Sequence, residues 1–247
     1  MNDRQVNILK LLEVNNLTSV NELSNRSGVS STTIRQDLIF LESEGLIKRV
    51  HGGAVLEDAE DLSNRLGFNY DKKLRIAHMA AGLVKDGETI LIESGSTNAL
   101  LARELARKKN ITIITTNVYI ARQLRKSEKA SVILLGGIYQ SASESLVGKI
   151  TRASLDQINF DKAFVGIDGY TAETGFTLSD LFRAEISGYI IKKATDAIII
   201  SDSTKFGKTE LTNICFLSEI KRIVTDNELD SSYQAEFKKA GIDLMLA

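Results

Sequence analysis

The 247-residue chain predicts two units of different fold class. The first, of about 55 residues, consists of short helices ending in a hairpin. The second is an α/β unit whose parallel-type sheet carries helices on both faces. Three observations predict this. Apolar residues recur at helical spacing through the first 45 residues, the stretch that follows them is short, basic and glycine-bearing, and from residue 72 helix-period segments alternate with near-continuous apolar runs. Alternation of that last kind marks parallel strands buried under crossover helices.

The first unit reads element by element. Val6, Ile8, Leu9, Leu11 and Leu12 predict a helix from about Asp3 to Val14. Ser19-Val20-Asn21-Glu22 is a capping box, so a second helix runs from about Val20 to Arg26. Gly28 ends it, because glycine takes the left-handed conformation that a tight helix-to-helix turn needs. Ser30 caps a third helix on which Ile34, Leu38 and Leu41 face inward at i, i+4 and i+7, turning Thr32, Thr33, Arg35 and Gln36 outward near its start, next to Ser31. Gly45 stops this helix, and LIKRVHGGAV follows as a hairpin exposing Lys48, Arg49 and His51.

Each piece alone has a plainer meaning: a helix start, a solvated surface, a charged strand edge. In this order they form a winged helix-turn-helix plan, in which the start of the second helix of the motif meets base edges in the major groove and the basic strand lies on phosphates. The expected partner is double-stranded DNA, contacted by Ser31, Thr32, Thr33, Arg35, Gln36, Lys48, Arg49 and His51. A weaker alternative is a module whose helices join proteins.

Composition narrows the remaining classes. With 43% hydrophobic and 26% charged residues and a net charge of −1, the chain reads as an ordinary globular protein without bulk attraction for nucleic acid. Within residues 1–53, Arg4, Lys10, Arg26, Arg35, Lys48 and Arg49 are offset by Asp3, Glu13, Glu22, Asp37, Glu42 and Glu44, so DNA affinity must rest on where charges sit. No apolar run approaches a membrane span and MNDRQVN lacks a signal peptide's apolar stretch, which gives an expectation of a cytoplasmic protein without a membrane partner. The single cysteine, Cys215, lies in the apolar-bordered run NICFL and is expected to be buried and inert. His51 and His78 are isolated from each other and from other ligand types, so neither a metal nor a cofactor is expected. The absence of proline has no functional reading.

Residues 56–71, acid-rich and aperiodic at first, read as a linker, which gives the division 1–55, 56–71 and 72–247. In the last part, strands are expected at 89–93, 111–116, 131–137, 162–168, 197–202 and 222–226. Ligands of open α/β sheets bind beyond the carboxyl ends of strands, and here those ends are small, polar or glycine. Ser94-Gly95-Ser96-Thr97-Asn98 runs straight into a helix pattern, so its backbone amides face an anion at the positive end of a helix dipole. By itself such a turn is more often a plain N-cap. Its convergence with Asn117, Gly136, Gly137, Asp168 and Lys205 at the other strand ends makes the set a candidate site for a small phosphorylated, hydroxyl-bearing effector, with Lys205 as cation and Asn117 and Asp168 for hydroxyls.

The segments VNELSNRSGVSSTTIRQDLIFLESEGLIKRVHGGAV, SGSTNALLA, TTN, LLGG, DKAFVGIDG, ETGFT and DSTKFG resemble the DeoR family of bacterial transcription regulators along nearly the whole chain. The resemblance implies a second domain related in fold to ribose-5-phosphate isomerases and coenzyme A transferases. It also implies a phosphorylated sugar as effector and repression of a sugar-metabolism operon. One small unit reads few base pairs, so a homo-oligomer, dimer or tetramer, is expected to place two copies on successive major-groove faces. The competing enzyme reading is a sugar-phosphate isomerase or lyase with a DNA-binding appendage, using Asp168, Glu185 and Lys205. Fold kinship does not transfer chemistry, and no catalytic residue is assigned. The chain departs from the family at Gln36, where a second arginine is common, and at Arg183, where an acid is frequent.

Glutamine suits adenine and carries no charge, whereas arginine pairs with guanine or grips phosphate. Binding-site selection with Gln36→Arg is therefore expected to shift preference from adenine toward guanine and to steepen the salt dependence by about one phosphate contact. Unchanged base preference and salt slope would remove the adenine reading.

Overall fold

Ser19 and Ser30 start two helices with their own side chains. Each Oγ accepts the backbone N–H three residues on, from Glu22 at 3.1 Å and Thr33 at 3.2 Å, so donors left open in the first turn are met locally. The computed structural model describes residues 1–15, 17–56, 62–108 and 110–247, and the chain divides into the units Met1–Asp71 and Lys72–Ala247.

The first unit holds α1 (Asp3–Asn15), β1 (Leu17–Ser19), α2 (Val20–Ser27), α3 (Ser31–Ser43), β2 (Lys48–Val50), β3 (Gly53–Val55), α4 (Leu62–Gly67) and the first residues of α5 (Tyr70–Gly82). Gly28 makes the α2–α3 turn with φ 64°. At the end of α3, Gly45 at φ 72° lets its N–H reach the Glu42 carbonyl and the Leu46 N–H reach the Leu41 carbonyl, both at 2.9 Å, which closes the helix in a Schellman turn. The core is Ile8, Leu9 and Leu12 from α1, Leu23 from α2, Ile34, Leu38 and Leu41 from α3, and Leu46. Each such side chain contributes about 1.5–3 kcal/mol on burial.

Two features add to the sequence reading. Strand β1 completes an antiparallel sheet of order β1-β3-β2. In addition, the expected linker is only partly a linker. Residues 57–61 lie outside the described residues, but Leu62–Gly67 is helical, and Leu56, Leu62 and Leu66 are buried in the first unit. Leu62 and Leu66, one helical turn apart, form an apolar stripe too short to stand out from its acidic surroundings.

The second unit is built on seven parallel strands. In chain order its elements are β4 (Thr89–Ile92), α6 (Ser96–Leu105), β5 (Ile111–Thr115), α7 (Val118–Leu124), β6 (Ala130–Leu134), β7 (Ile138–Gln140), β8 (Ser145–Val147), α8 (Lys149–Asp156), β9 (Lys162–Val165), β10 (Gly169–Thr171), β11 (Gly175–Leu178), α9 (Leu181–Lys193), β12 (Ala197–Ile200), β13 (Thr212–Cys215), β14 (Arg222–Thr225), α10 (Ser231–Lys239) and β15 (Asp243–Leu246). The large sheet has the order β15-β14-β12-β9-β4-β5-β6, with Leu91 of β4 in register with both Ile114 and Ala163. The six expected strands all lie in it, and β15 adds a seventh. The middle strands are buried throughout: Ile90–Ile92, Ala163–Val165 and Ile198–Ile200. Two small antiparallel sheets, β7-β8 and β10-β11-β13, were not anticipated.

Cys215 on β13 is buried, and burial pushes its thiol up to about 12, which accords with an inert role. Among the described residues no helix is long and apolar enough to cross a membrane.

Gly53 is where the wing meets β1: a Cβ there would lie 2.4 Å from the Thr18 carbonyl oxygen. Gly53→Ala is expected to destabilise the first unit by about 1–3 kcal/mol in urea unfolding. A Cβ at Gly82 would meet open space, so Gly82→Ala should leave stability unchanged or raise it.

Candidate functional site

On the first unit, burial of Ile34, Leu38 and Leu41 leaves Thr32, Arg35 and Gln36 exposed at the start of α3, with Ser31 and Thr33 half-buried. The Thr33 hydroxyl lies 3.0 Å from Ser30 Oγ, so it belongs partly to the cap. Lys48, Arg49 and His51 are exposed on the wing. Arg49 is committed in part: its Nε donates to Glu42 Oε2 at 2.7 Å and its backbone N–H to Oε1 at 3.0 Å. These bonds hold the Glu42 carboxyl below its usual range and tie the wing to α3. A groove of about 610 Å³ between helix and wing brings together Asn21, Arg35, Arg49 and His51. Lys48, one residue from Arg49 on the strand, does not line it.

Asp37 escaped the sequence reading. It is buried, and it accepts Arg4 Nε at 2.6 Å, Arg4 Nη2 at 3.2 Å and Gln5 Nε2 at 3.0 Å. This three-bond clamp fixes α1 against the helix that carries Arg35 and Gln36. A charged residue directly beside the inward Leu38 was the available signal.

On the second unit, the strand order reverses at β4, whose neighbours are β5 on one side and β9 on the other. A crevice beyond the carboxyl ends opens at such a switch point. The chain leaves β4 through Glu93 and Ser94 and enters α6 through Gly95 at φ 108°, with no side chain capping the helix. Backbone N–H groups at the start of α6 are thus available to an anion. Ser96, Thr97 and Asn98 are buried there.

Glu93, Ser94, Asn98, Asp168 and Arg183 come together at this point. Ser94 Oγ donates to Glu93 Oε1 at 2.6 Å and accepts from Arg183 Nε at 3.2 Å. The Arg183 guanidinium lies 3.8 Å from Glu93 Oε1 and 3.9 Å from Asp168 Oδ2. Asp168 Oδ2 also accepts from Ser179 Oγ at 3.0 Å and from the Ser179 N–H at 3.3 Å. Asn98 Nδ2 donates to the Ser94 carbonyl at 2.8 Å and the Phe164 carbonyl at 3.4 Å, fastening α6 to β9. Arg183 was missed as a site residue. It shares a helical stripe with the buried Ile186 and Ile190, and a cation on an apolar stripe is the signal that could have found it.

Other expected residues are used differently. Asn117 Oδ1 accepts the Ile120 N–H at 3.0 Å and its Nδ2 donates to the Ser143 carbonyl at 2.9 Å; its amide caps α7 and is spent in the fold. A Cβ on Gly137 would lie 2.0 Å from Thr151 Oγ1, which itself donates to the Gly136 carbonyl at 2.8 Å, so this pair seats α8. Lys205 is half-buried in the 3₁₀ turn Ser203–Lys205 beyond β12, the strand next to β9. Glu185 is exposed and pairs with Arg152 at 3.9 Å, away from Arg183 on α9.

Two family models match the chain: the DeoR-like helix-turn-helix domain over residues 4–60 and the DeoR C terminal sensor domain over residues 68–227. The chain belongs to the DeoR family. Similar proteins include the HTH-type transcriptional regulator GolR of Listeria innocua, 35% identical over 99% of this chain and 98% of that protein. IolR of Bacillus subtilis is 32% identical over 93% and 92%, and the lactose phosphotransferase system repressor of Lactococcus lactis 32% over 94% and 93%. Among solved structures, a D-ribose-5-phosphate isomerase in complex with phospho-erythronic acid has a TM-score of 0.41 at 19% identity, covering 56% of this chain and 54% of that one. The delta subunit of eIF2B from Chaetomium thermophilum has a TM-score of 0.47 at 14% identity, covering 90% and 69%. Neither likeness bears on activity or ligand. As a DeoR-family member the chain is a DNA-binding transcriptional regulator and not an enzyme, and its partner is an operator in DNA.

Arg35 stands in the groove between helix and wing, clear of the core. Arg35→Ala is expected to weaken operator binding by more than about 1 kcal/mol, read by fluorescence anisotropy, while the thermal midpoint is unchanged.

Proposed function

We propose that this DeoR-family regulator is a repressor of a carbohydrate-metabolism operon whose hold on DNA is set by a phosphorylated sugar or related metabolite bound at the switch-point crevice. The observation that carries the reading is the uncapped start of α6 beside the buried cluster of Glu93, Ser94, Asp168 and Arg183. Free amides at a helix N-terminus suit a phosphate, and the neighbouring polar groups suit hydroxyls. The name of the Lactococcus lactis relative, a lactose phosphotransferase system repressor, supports both the sign and the class of pathway. Ser94–Asn98 and Lys205 line the effector site in this reading, with the phosphate on the backbone amides at the start of α6 and on Lys205. Ser31, Thr32, Thr33, Arg35, Gln36, Lys48, Arg49 and His51 face the operator, and the protein works in the cytoplasm.

Control of DNA affinity needs a second state. A single helix-turn-helix unit covers one half-site, and two copies at a fixed spacing supply specific affinity. The second unit exposes Ile138, Tyr139, Ile150, Leu181 and Phe182. Ile138 packs near Gly148 at the start of α8, and Gln140 of the same strand donates to Asp180, the cap of α9, at 2.9 Å. This apolar surface supports self-association with a second copy. Leu181 and Phe182 adjoin Arg183 in the first turn of α9, so a ligand drawn to Arg183 acts on the same turn that a partner copy covers. An effector that favours a subunit arrangement misplacing the α3 helices is an inducer, and DNA opposes it by the same linkage.

A thermal-shift screen of phosphorylated sugars and sugar alcohols tests this, since a ligand at 100 times its Kd stabilises by about 2.7 kcal/mol. Lys205→Ala is expected to keep operator binding and lose the response of that binding to the compound found. A retained response would discard the phosphate role of Lys205.

A further inference from the structure

Two buried acceptors at the crevice have no hydrogen-bond partner: Glu93 Oε2 and Asn98 Oδ1. Their residues are 2% and 1% exposed, so bulk water does not satisfy them. Leaving such atoms unpaired is costly, and their other halves are already fixed. Glu93 Oε1 is held by Ser94 Oγ–H at 2.6 Å, and Asn98 Nδ2 is spent on the carbonyls of Ser94 and Phe164. Arg183, 4% exposed, donates from Nε to Ser94 Oγ, and its terminal nitrogens stand 3.8 and 3.9 Å from carboxylate oxygens of Glu93 and Asp168. That separation suits charge attraction but exceeds a hydrogen bond. Buried acceptors without donors therefore stand beside a guanidinium whose ends are held only by longer-range charge attraction.

We infer that the cluster of Glu93, Asn98 and Arg183 is the hydroxyl-reading end of the effector site, taking adjacent hydroxyls of a phosphorylated sugar or sugar alcohol whose phosphate lies on the start of α6. This rests on the phosphosugar reading above and specifies which end of the molecule goes where. A hydroxyl is both donor and acceptor, so it gives its proton to Glu93 Oε2 or Asn98 Oδ1 while accepting from Arg183. A phosphate only accepts; placed at the cluster it would leave both orphan acceptors unpaired and face two carboxyl groups across one guanidinium. The backbone beyond β9 also lies close to this cluster: a Cβ at Gly166 would come within 3.3 Å of the Ser94 carbonyl oxygen and 3.7 Å of Asn98 Nδ2. Specificity in this protein then comes from hydroxyl placement, because a site built to pair a hydroxyl rejects the analogue that lacks it.

The test is calorimetric titration of the full chain with ribose 5-phosphate, glucose 6-phosphate, fructose 6-phosphate and glucitol 6-phosphate, the singly deoxygenated forms of each, and inorganic phosphate. The wild-type protein is expected to bind at least one compound about tenfold or more tighter than one of its deoxy forms, a gap of about 1.4 kcal/mol. In Glu93→Gln that gap is expected to shrink to less than about threefold, with the affinity for inorganic phosphate unchanged. Arg183→Lys, which keeps the charge but loses the fork, is expected to shrink it likewise. Phosphosugars that bind regardless of deoxygenation, or a gap that survives both variants, would overturn the inference while leaving the phosphosugar reading intact. Binding of none of the compounds would refute that reading and this inference with it. The wild-type comparison decides on its own if a variant fails to fold.

Discussion

The reversal of strand order at β4 is the constraint from which the second unit's chemistry follows. Because β4 lies between β5 and β9, the segments leaving β4 and β9 part company and leave a crevice at their carboxyl ends. The floor of that crevice is rigid, since Ile90–Ile92 and Ala163–Val165 are buried and paired on both sides. Into its rim the chain sends two carboxyl groups and a guanidinium, all nearly excluded from water. Burying such groups is tolerated only when they offset one another, and here the pairing is loose on the side where polar atoms remain unpaired. In the proposed function, it is this unpaired side that takes the ligand.

The first unit reaches DNA by a different economy. Its charge balance is even, so affinity cannot come from bulk attraction. Placement replaces quantity. Serine caps fix where α2 and α3 begin, Gly28 and the Gly45 turn fix where they end, and the Asp37 clamp fixes α1 against α3. Arg49 is drawn toward Glu42, which orients the wing and reduces what it offers to phosphates. Such a reader depends on a few placed groups, which is why the proposed function calls for a second copy.

Much of this was legible in the sequence because it rests on local rules. Caps, glycine stops and continuous apolar strands each act over a few residues, and the three helices and six strands they signalled are present. What was not legible depends on distant partners. Asn117 read as a ligand group from its position at a strand end, and capping α7 is how its amide oxygen is used. Gly136 and Gly137 read as part of the effector site from their place at a strand end, yet the space beside Gly137 is filled by Thr151. Arg183 stood out only as a cation on an apolar stripe, and its distant partners Ser94 and Glu93 appear only in the fold; α4 was hidden by the acids that precede it. The small antiparallel sheets have strands of three and four residues, too short for a period to register.

In the proposed function, effector binding and self-association of the second unit share the first turn of α9, where exposed apolar residues and the buried arginine are neighbours in sequence. On that proposal, occupancy of the crevice and the arrangement of copies on DNA are alternative demands on one structural element, and any coupling between them is reciprocal. The most direct measurement is the operator affinity of the full-length protein across a titration of a phosphosugar that binds it. The affinity is expected to change several-fold and to saturate with the compound's own binding curve. An operator affinity that stays constant through saturation would contradict it.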